Sequence, residues 1–241
     1  MADVVQGGNY ASQAMVADVK PPTPPDPPPP SGKAVKTRPY FEPTGDIGVY
    51  AVLHFDSGKT QPQQMVRRNG HVFMFKGEGQ WFDGRLMQDY EEWQSDGAGI
   101  HKFVDTSDAG NGGRDAYDLG GAVWLPSTVR VGSTYISTPS VTRFDRLNCN
   151  VHGSEPTTDY LYIRELIPEW SSPKNIEITF DDVLVVEWRK TTNLNSAPEE
   201  TYYFAKNVGY VGWGGGGRDG AFIGELPGGR EPLGGELTNC V

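Results

Sequence analysis

The chain has 241 residues, of which 31 are Gly and 19 are Pro, and its formal net charge at pH 7 is −10. Such a negative field repels nucleic acid and anionic membranes, which argues against binding to either by bulk electrostatics. No stretch approaches the roughly 18 apolar residues of a membrane-spanning helix, and the N-terminus lacks the basic and apolar regions of a secretory signal peptide.

The first 38 residues divide into an arm and a proline-rich linker. Residues 1–20 carry too little apolar surface to form a core, so we expect an N-terminal anchoring arm. Eight of the ten residues from Pro21 to Pro30 are proline, which favours a polyproline II helix of roughly 30 Å. Residues 21–38 are therefore predicted to be a semi-rigid linker that separates the arm from a folded domain. The alternative is a solvated, unstructured tail.

Residues 39–213 are predicted to form an all-β domain. Apolar and β-branched stretches alternate with turn signals about every eight to twelve residues, without helical crossovers. This pattern is typical of an antiparallel β-sandwich, a jelly-roll-like domain or a barrel. Asn69-Gly70 predicts a tight hairpin, and a shift of the apolar pattern at Asp181-Asp182 predicts a turn or bulge. The best helical candidate is Leu86–Trp93, and residues 214–241 are too rich in glycine for regular structure.

One stretch near the end of the predicted domain is familiar. The segment EETYYFAKNVGYVGW, Glu199–Trp213, resembles the last hairpin of various bacterial and phage β-sheet domains. In those domains an aromatic strand reading YYFAK turns back into a strand that reads Gly-aromatic-Val-Gly-Trp. The resemblance covers about fifteen residues and implies a closing antiparallel hairpin, without implying an activity.

The two cysteines, Cys149 and Cys240, allow two interpretations. They are unrelated thiols, or they form a disulfide that ties the C-terminus to the middle of the domain. Four histidines, His54, His71, His101 and His152, lie far apart in sequence. None has a second histidine or a cysteine at the spacing of zinc ligands, which favours surface or strand-end positions over a catalytic metal site.

An acidic, glycine-containing loop is a candidate calcium site. Its oxygen-bearing residues are Asp105, Asp108, Asn111 and Asp115. Calcium binds six to eight oxygen ligands, which a loop of this kind can supply. The spacing of a helix-loop-helix calcium site is absent, because Ser107 and Ala109 occupy the intermediate positions. A solvated loop that uses Asp and Asn for turns explains the same residues.

Aromatic and acidic residues also lie close in sequence between residues 78 and 93. Sugars stack on aromatic faces, and glycoside hydrolysis needs two carboxylates roughly 5 to 10 Å apart. The candidate glycan contacts are Glu78, Trp81, Asp83, Tyr90 and Trp93. Because nothing in the pattern separates a catalytic pair from an acidic surface, no catalytic residue is assigned.

These features favour a non-enzymatic structural or adhesion protein. We expect residues 1–30 to bind protein subunits of a larger oligomeric assembly, on the exterior of a virion or on a cell surface, while the β-domain contacts glycans. The first alternative is a secreted carbohydrate-active enzyme or carbohydrate-binding module. A further alternative is that PPTPPDPPPP is a ligand for a domain with an aromatic groove.

Overall fold

The structure is a computed structural model that describes residues 32–44, 49–54, 60–106, 111–172, 175–215, 218–225 and 234–241. The predicted arm and residues 21–31 of the proline-rich linker lie outside these residues. The strands are β1 (Ala34–Lys36), β2 (Val49–His54), β3 (Thr60–Arg68), β4 (His71–Phe82), β5 (Arg85–Ser95), β6 (Gly99–Asp105), β7 (Asp115–Pro126), β8 (Thr128–Arg130), β9 (Thr134–Ser137), β10 (Ser140–Asp145), β11 (Val151–Pro156), β12 (Asp159–Ser172), β13 (Asn175–Arg189), β14 (Glu200–Ala205), β15 (Gly209–Gly215) and β16 (Arg218–Glu225). Helix α1 spans Arg38–Phe41, and a short 3-10 helix spans Asn111–Gly113.

In the described part of the chain, fourteen strands form one antiparallel sheet that folds onto itself. The strand order is β11-β10-β7-β6-β5-β4-β3-β2-β16-β15-β14-β13-β12-β9, and β1 pairs with β8 in a separate ribbon. The two halves of the sheet share one core, since Ile100 and Leu125 from one half and Leu161 and Ile163 from the other belong to the same buried cluster. The prediction of an all-β, antiparallel, sandwich-like domain is confirmed.

Helix α1 fills one region of this core with an aromatic side chain. The ring centroid of Phe41 lies 4.2 Å from that of Phe204, 5.7 Å from that of Trp93 and 5.8 Å from that of Trp124. These rings come from both halves of the sheet, so α1 joins the two layers. Aromatic pairs at such distances stabilise a core beyond their buried area alone.

The predicted linker extends too far toward the C-terminus. Residues 34–38 were assigned to it, yet β1 pairs with β8 so that Val35 lies opposite Val129. Both valines are buried, as is Thr37. Burial of these side chains on the core outweighs the influence of the preceding prolines, so the folded domain begins before residue 39.

The predicted helix Leu86–Trp93 is wrong, because these residues belong to β5. Asp83 and Gly84 have φ values of 48° and 80°, as a two-residue type I′ hairpin turn requires. The turn places Phe82 opposite Arg85. Pairing with strands on both sides outweighs a short segment's local preference for helix. The Asn69-Gly70 hairpin is confirmed, with φ values of 53° and 83°.

The glycine-rich tail contains a strand that sequence patterns missed. Strand β16 lies between β15 and β2 inside the sheet, so its main-chain hydrogen bonds to two neighbours replace the side-chain packing that glycine lacks. The prediction of irregular structure for residues 214–241 is therefore wrong for Arg218–Glu225. At Asp181-Asp182, β13 continues without a turn, although Asp182 has a φ of 50°. None of the described helices is long and apolar enough to cross a membrane.

Candidate functional site

A cavity of about 310 Å³ lies between the two packed halves of the sheet. Its walls come from β6, β7, β10 and β11 in one half and from β12, β13 and β14 in the other. Four aromatic side chains, Tyr117, Trp124, Trp188 and Tyr202, line it together with charged residues. We call this space the interlayer cavity.

The deepest aromatic residues of the interlayer cavity are held by the core. Trp124 is 6% exposed and Tyr202 is 9% exposed, and their rings meet edge to face with centroids 5.7 Å apart. On its other side, Trp124 meets Trp93 edge to face at 5.1 Å. Because these rings fix one another, they form a rigid aromatic wall whose geometry does not depend on a ligand.

Lys102 and its carboxylate partners form a buried ionic network beside this wall. The Lys102 Nζ atom lies 2.6 Å from Asp105 Oδ2 and 3.1 Å from Glu91 Oε2, and Lys76 also pairs with Glu91. Burial opposes the charged form of Lys102, but the nearby Asp105 and Glu91 carboxylates outweigh it and raise the pKa of the lysine. Lys102 therefore stays cationic. Its ammonium group also lies 5.0 Å from the centroid of the Trp93 ring.

A bulge in β6 brings Lys102 and Asp105 to the same face. Strict alternation along a strand would point residues three apart to opposite faces. The register of β6 against β5 shifts between Lys102 and Val104, which leaves Phe103 as an extra residue in β6. This extra residue reverses the alternation, and both Lys102 and Asp105 line the interlayer cavity. The bulge is thus the local reason why these two charges meet.

Tyr202 presents a hydroxyl group that remains protonated. It donates a hydrogen bond to Glu200 Oε2, and the two residues share one face of β14 because they are two positions apart. Burial, followed by the negative charge of Glu200, raises the pKa of Tyr202 well above its usual value of 10.0. The phenol is therefore a donor throughout the physiological range, and Glu200 is its acceptor.

On the side of the interlayer cavity formed by β12 and β13, three side chains contact one another: Trp188, Asp159 and Lys190. The indole Nε1 of Trp188 donates to Asp159 Oδ1 at 2.8 Å, and Lys190 Nζ donates to the same oxygen at 3.4 Å. The Lys190 ammonium group also lies 4.2 Å from the centroid of the Trp188 ring. The carboxylate and the indole ring thus hold each other in place.

The interlayer cavity combines flat apolar surfaces with oriented donors and acceptors. Aromatic faces suit the C–H faces of a sugar ring. The carboxylates of Asp159 and Glu200 accept hydrogen bonds from hydroxyl groups, and Lys102 is a donor. Small-molecule sites typically have such a mostly apolar lining with a few fixed polar groups.

The predicted aromatic glycan surface is not formed as expected. Tyr90 and Trp93 are 2% and 5% exposed, so the core covers the ring faces that a sugar would need. Trp81 is 71% exposed, and Asp83, in the adjacent turn, contacts Arg114 at 3.3 Å. The side chain of Glu78 lies outside the described part of the structure. Trp93 still bears on the interlayer cavity indirectly, because its ring contacts Trp124 and Lys102.

Two of the predicted calcium ligands, Asp105 and Asp115, pair with different cations. Asp105 pairs with Lys102 in the interlayer cavity, whereas Asp115 accepts a hydrogen bond from Arg143 Nε at 2.7 Å. Asp108 lies outside the described residues, as does the side chain of Asn111. Among the side chains that the structure does describe, no group of three or more His, Cys, Asp or Glu could hold a metal ion. Calcium binding by this loop remains a prediction.

Cys149 and Cys240 form a disulfide with Cα atoms 5.2 Å apart. The bond attaches the end of the chain to the loop between β10 and β11. Next to it, the Thr238 hydroxyl donates to the carbonyl of Arg146 at 3.1 Å. Further back, Glu236 forms a backbone bridge with Met87 of β5. The last eight residues are therefore part of the folded domain.

The principal residues of the interlayer cavity escaped sequence analysis because they are distant in sequence. Trp124 lies on β7, Trp188 on β13 and Tyr202 on β14, and only the folding of the sheet brings them together. No motif spaces them regularly. The only local signals are pairs at two-residue spacing, Trp188 with Lys190 and Glu200 with Tyr202, which place a ring and a charge on the same strand face.

Comparison of the chain with protein-family models finds no match, and comparisons with curated proteins and with solved structures likewise find none. The interlayer cavity is therefore interpreted from its own residues.

Proposed function

We propose that this protein is a non-enzymatic carbohydrate-binding component of a larger assembly, and that the interlayer cavity is its ligand site. The observation that carries the proposal is the pairing of rigid aromatic rings with oriented polar groups in one cavity. Trp124 and Trp188 come from opposite walls, so a sugar ring between them would have an aromatic surface on each side. Asp159 and Glu200 supply acceptors for its hydroxyl groups.

The size of the interlayer cavity supports a small ligand. Its volume of about 310 Å³ is near the lower limit of roughly 300 to 1,000 Å³ for small-molecule sites. One sugar residue, or the end of a glycan chain, suits this space better than a polymer that passes across the surface.

Three of the four carboxylate side chains that line the interlayer cavity are held by hydrogen bonds or ion pairs, and Glu155 is the fourth. Asp159 receives hydrogen bonds from Trp188 and Lys190, Glu200 receives one from Tyr202, and Asp105 is paired with Lys102. A catalytic acid or nucleophile must instead present its carboxylate to the scissile bond. These contacts favour recognition of an intact glycan over its hydrolysis.

The assembly part of the proposal rests on the N-terminal sequence. The anchoring arm and the proline-rich linker suit a domain that is attached at one end and held outward from a virion or cell surface. The disulfide is compatible with such an exterior location. Incorporation into the assembly should be lost when residues 1–30 are deleted, and unchanged incorporation would contradict this part of the proposal.

Glycan binding is tested on the full chain with a glycan array, followed by calorimetric titration of the glycans that bind. Trp188→Ala should weaken binding at least about tenfold, because it removes one wall of the site. Trp81→Ala is the matched control, since it removes an exposed indole outside the interlayer cavity and should leave the affinity unchanged. Bound glycans should be recovered intact. Absence of binding would refute the proposal, and recovery of cleaved products would support the enzyme alternative.

A further inference from the structure

A second cavity, of about 260 Å³, lies beside the first strand of the domain. Three lysines, Lys33, Lys36 and Lys206, line it together with Tyr40 and Asp182. We call it the basic pocket. It shares no lining residue with the interlayer cavity, so an inference about it does not depend on glycan binding.

The basic pocket carries excess positive charge. Lys206 Nζ lies 3.1 Å from Asp182 Oδ2, and this pair neutralises one of the three lysines. Within the described part of the chain, neither Lys33 nor Lys36 has a carboxylate partner within ion-pair distance. Most other described cations do have such partners, as expected for a chain with a net charge of −10. Because two ammonium groups at this cavity lack a carboxylate partner among the described residues, the electrostatic potential there is positive, although the chain as a whole is negatively charged.

A further cation lies next to the basic pocket. Arg130 of β8 is opposite Ala34 of β1 in the two-stranded ribbon, and its Nη1 atom donates to the carbonyl of Gly32 at 3.3 Å. Residues opposite each other in a sheet lie on the same face, which puts Arg130 on the exposed face of the ribbon with Lys36. The ribbon therefore adds to the positive potential around the pocket.

We propose that the basic pocket binds a phosphate or sulfate group. The lysines come from two separate parts of the chain, with Lys33 and Lys36 at β1 and Lys206 in the turn between β14 and β15. They can therefore surround an anion. Lysine binds phosphate groups as a compact point charge with three rotatable donors.

Tyr40 supplies a neutral donor to the same pocket. Its side chain is 4% exposed, and burial, followed by the charge of Asp182, raises its pKa to about 12. Tyr40 therefore keeps its proton at neutral pH and can donate a hydrogen bond to a phosphate or sulfate oxygen. Apolar residues form the rest of the lining, namely Ala34, Val35, Pro39 and Leu166.

The basic pocket is tested by calorimetric titration of the full chain at low ionic strength. The probes are inorganic phosphate, inorganic sulfate, glucose 6-phosphate and glucose 6-sulfate, with sodium acetate as the carboxylate comparison. We expect saturable binding of the phosphate and sulfate probes that weakens as NaCl is raised. A larger affinity for glucose 6-phosphate than for glucose 6-sulfate would identify the source as phosphoryl, and the reverse order would identify it as sulfuryl.

Charge variants make the test specific to the pocket. Lys33→Gln and Lys36→Gln should each weaken binding about threefold to tenfold, and Asp182→Asn should strengthen it, because the carboxylate competes with the anion. Arg68→Gln is the matched control, since it removes an exposed cation outside the pocket, one that lies over the Phe75 ring at 5.3 Å. Its effect should stay below about twofold.

Three results would overturn the proposal. The first is the absence of saturable binding by any phosphate or sulfate probe. The second is acetate binding as tight as phosphate binding, which would contradict recognition of a tetrahedral oxyanion. The third is an equal loss of affinity in Arg68→Gln and Lys36→Gln, which would show that the overall charge, and not the pocket, attracts the anion.

Discussion

The indole Nε1 of Trp188 donates a hydrogen bond to Asp159 Oδ1 at 2.8 Å, which joins a ring and an acceptor in one wall of the interlayer cavity. Asp159 is 8% exposed, so this bond and the contact from Lys190 replace most of its hydration. The orientation of the carboxylate therefore depends on the indole N–H group. A ring without that donor should preserve the shape of the wall but not the position of the acceptor.

Trp188→Phe tests this dependence. We expect glycan affinity to fall by about 1 kcal/mol, or roughly fivefold, because Asp159 loses its shortest donor while the aromatic face remains. Calorimetric titration with a glycan from the array measures the change, and Trp81→Phe provides the same substitution at an exposed site. Equal affinity of Trp188→Phe and the wild type would mean that the indole N–H group does not position the acceptor.

Lys102→Met should destabilise the fold, because it removes the cation that Asp105 contacts at 2.6 Å and leaves Glu91 with Lys76 as its remaining lysine partner. The side chains of Lys102 and Glu91 are 10% and 3% exposed, and removing one partner of such a pair typically costs about 3 to 5 kcal/mol. Urea unfolding gives the free energy directly. Lys190→Met is the control, because the Lys190 side chain is half exposed and Asp159 keeps its hydrogen bond from Trp188; the change should cost less than about 1 kcal/mol.

A second substitution separates charge from packing in this network. Asp105→Asn in the Lys102→Met background removes the carboxylate charge that Lys102 contacted at 2.6 Å and should restore part of the lost stability. If the double variant is less stable than Lys102→Met, packing of the lysine side chain, and not compensation of its partners, is the dominant contribution.

The disulfide should hold the C-terminal segment against β5. Cys149 and Cys240 are separated by 91 residues, and removing a cross-link over a loop of that length should cost roughly 2 to 5 kcal/mol. The double variant Cys149→Ser and Cys240→Ser should also lose protection of the Gln88 amide, which donates to the Glu236 carbonyl at 2.9 Å. Hydrogen exchange measures that protection, and an unchanged rate would show that the backbone bridge holds without the disulfide.

A smaller change near the disulfide is the control for this prediction. Thr238→Ala removes the hydrogen bond that the hydroxyl donates to the Arg146 carbonyl at 3.1 Å and the one that it accepts from Cys240 N at 3.4 Å, and it leaves the cross-link intact. Its cost should be about 1 kcal/mol, with protection of the Gln88 amide largely retained.

Local rules in the sequence predicted those parts of the fold that depend on neighbouring residues. Asn69-Gly70 reverses the chain as predicted, because positive φ values are accessible to both residues. Asp83-Gly84 obeys the same rule and precedes β5, the strand that contains the residues of the predicted helix Leu86–Trp93. The error came from a short apolar pattern that fits both helical and strand periods.

The interlayer cavity depends on interactions that no local rule contains. Trp124 faces the β13–β14 wall only because the sheet folds back on itself, and Lys102 meets Asp105 only because β6 is bulged against β5. The strand at Arg218–Glu225 likewise exists because β15 and β2 flank it. Each feature is decided by long-range pairing, so strand content is predictable from the sequence and the composition of the site is not.

His101 should make stability depend on pH. Its Nε2 and Nδ1 atoms lie 2.9 Å from Asp96 Oδ1 and 2.8 Å from the carbonyl of Gly121, and only the imidazolium donates to both. Partial burial lowers the pKa of His101, but these acceptors outweigh it and raise the pKa above 6.5. The contribution of protonated His101 to the stability of the fold is fully present below pH 6.5. It is lost as the pH rises through the pKa that His101 has in the folded state. The bond from His101 is also the main reason why the pKa of Asp96 is lowered below 3.8. The contribution of this pair to stability is therefore lost again when the pH falls through that lowered pKa and Asp96 is protonated. Urea unfolding of the wild type and His101→Gln should therefore differ most near pH 5 and converge toward pH 8, whereas a difference independent of pH would contradict the assignment.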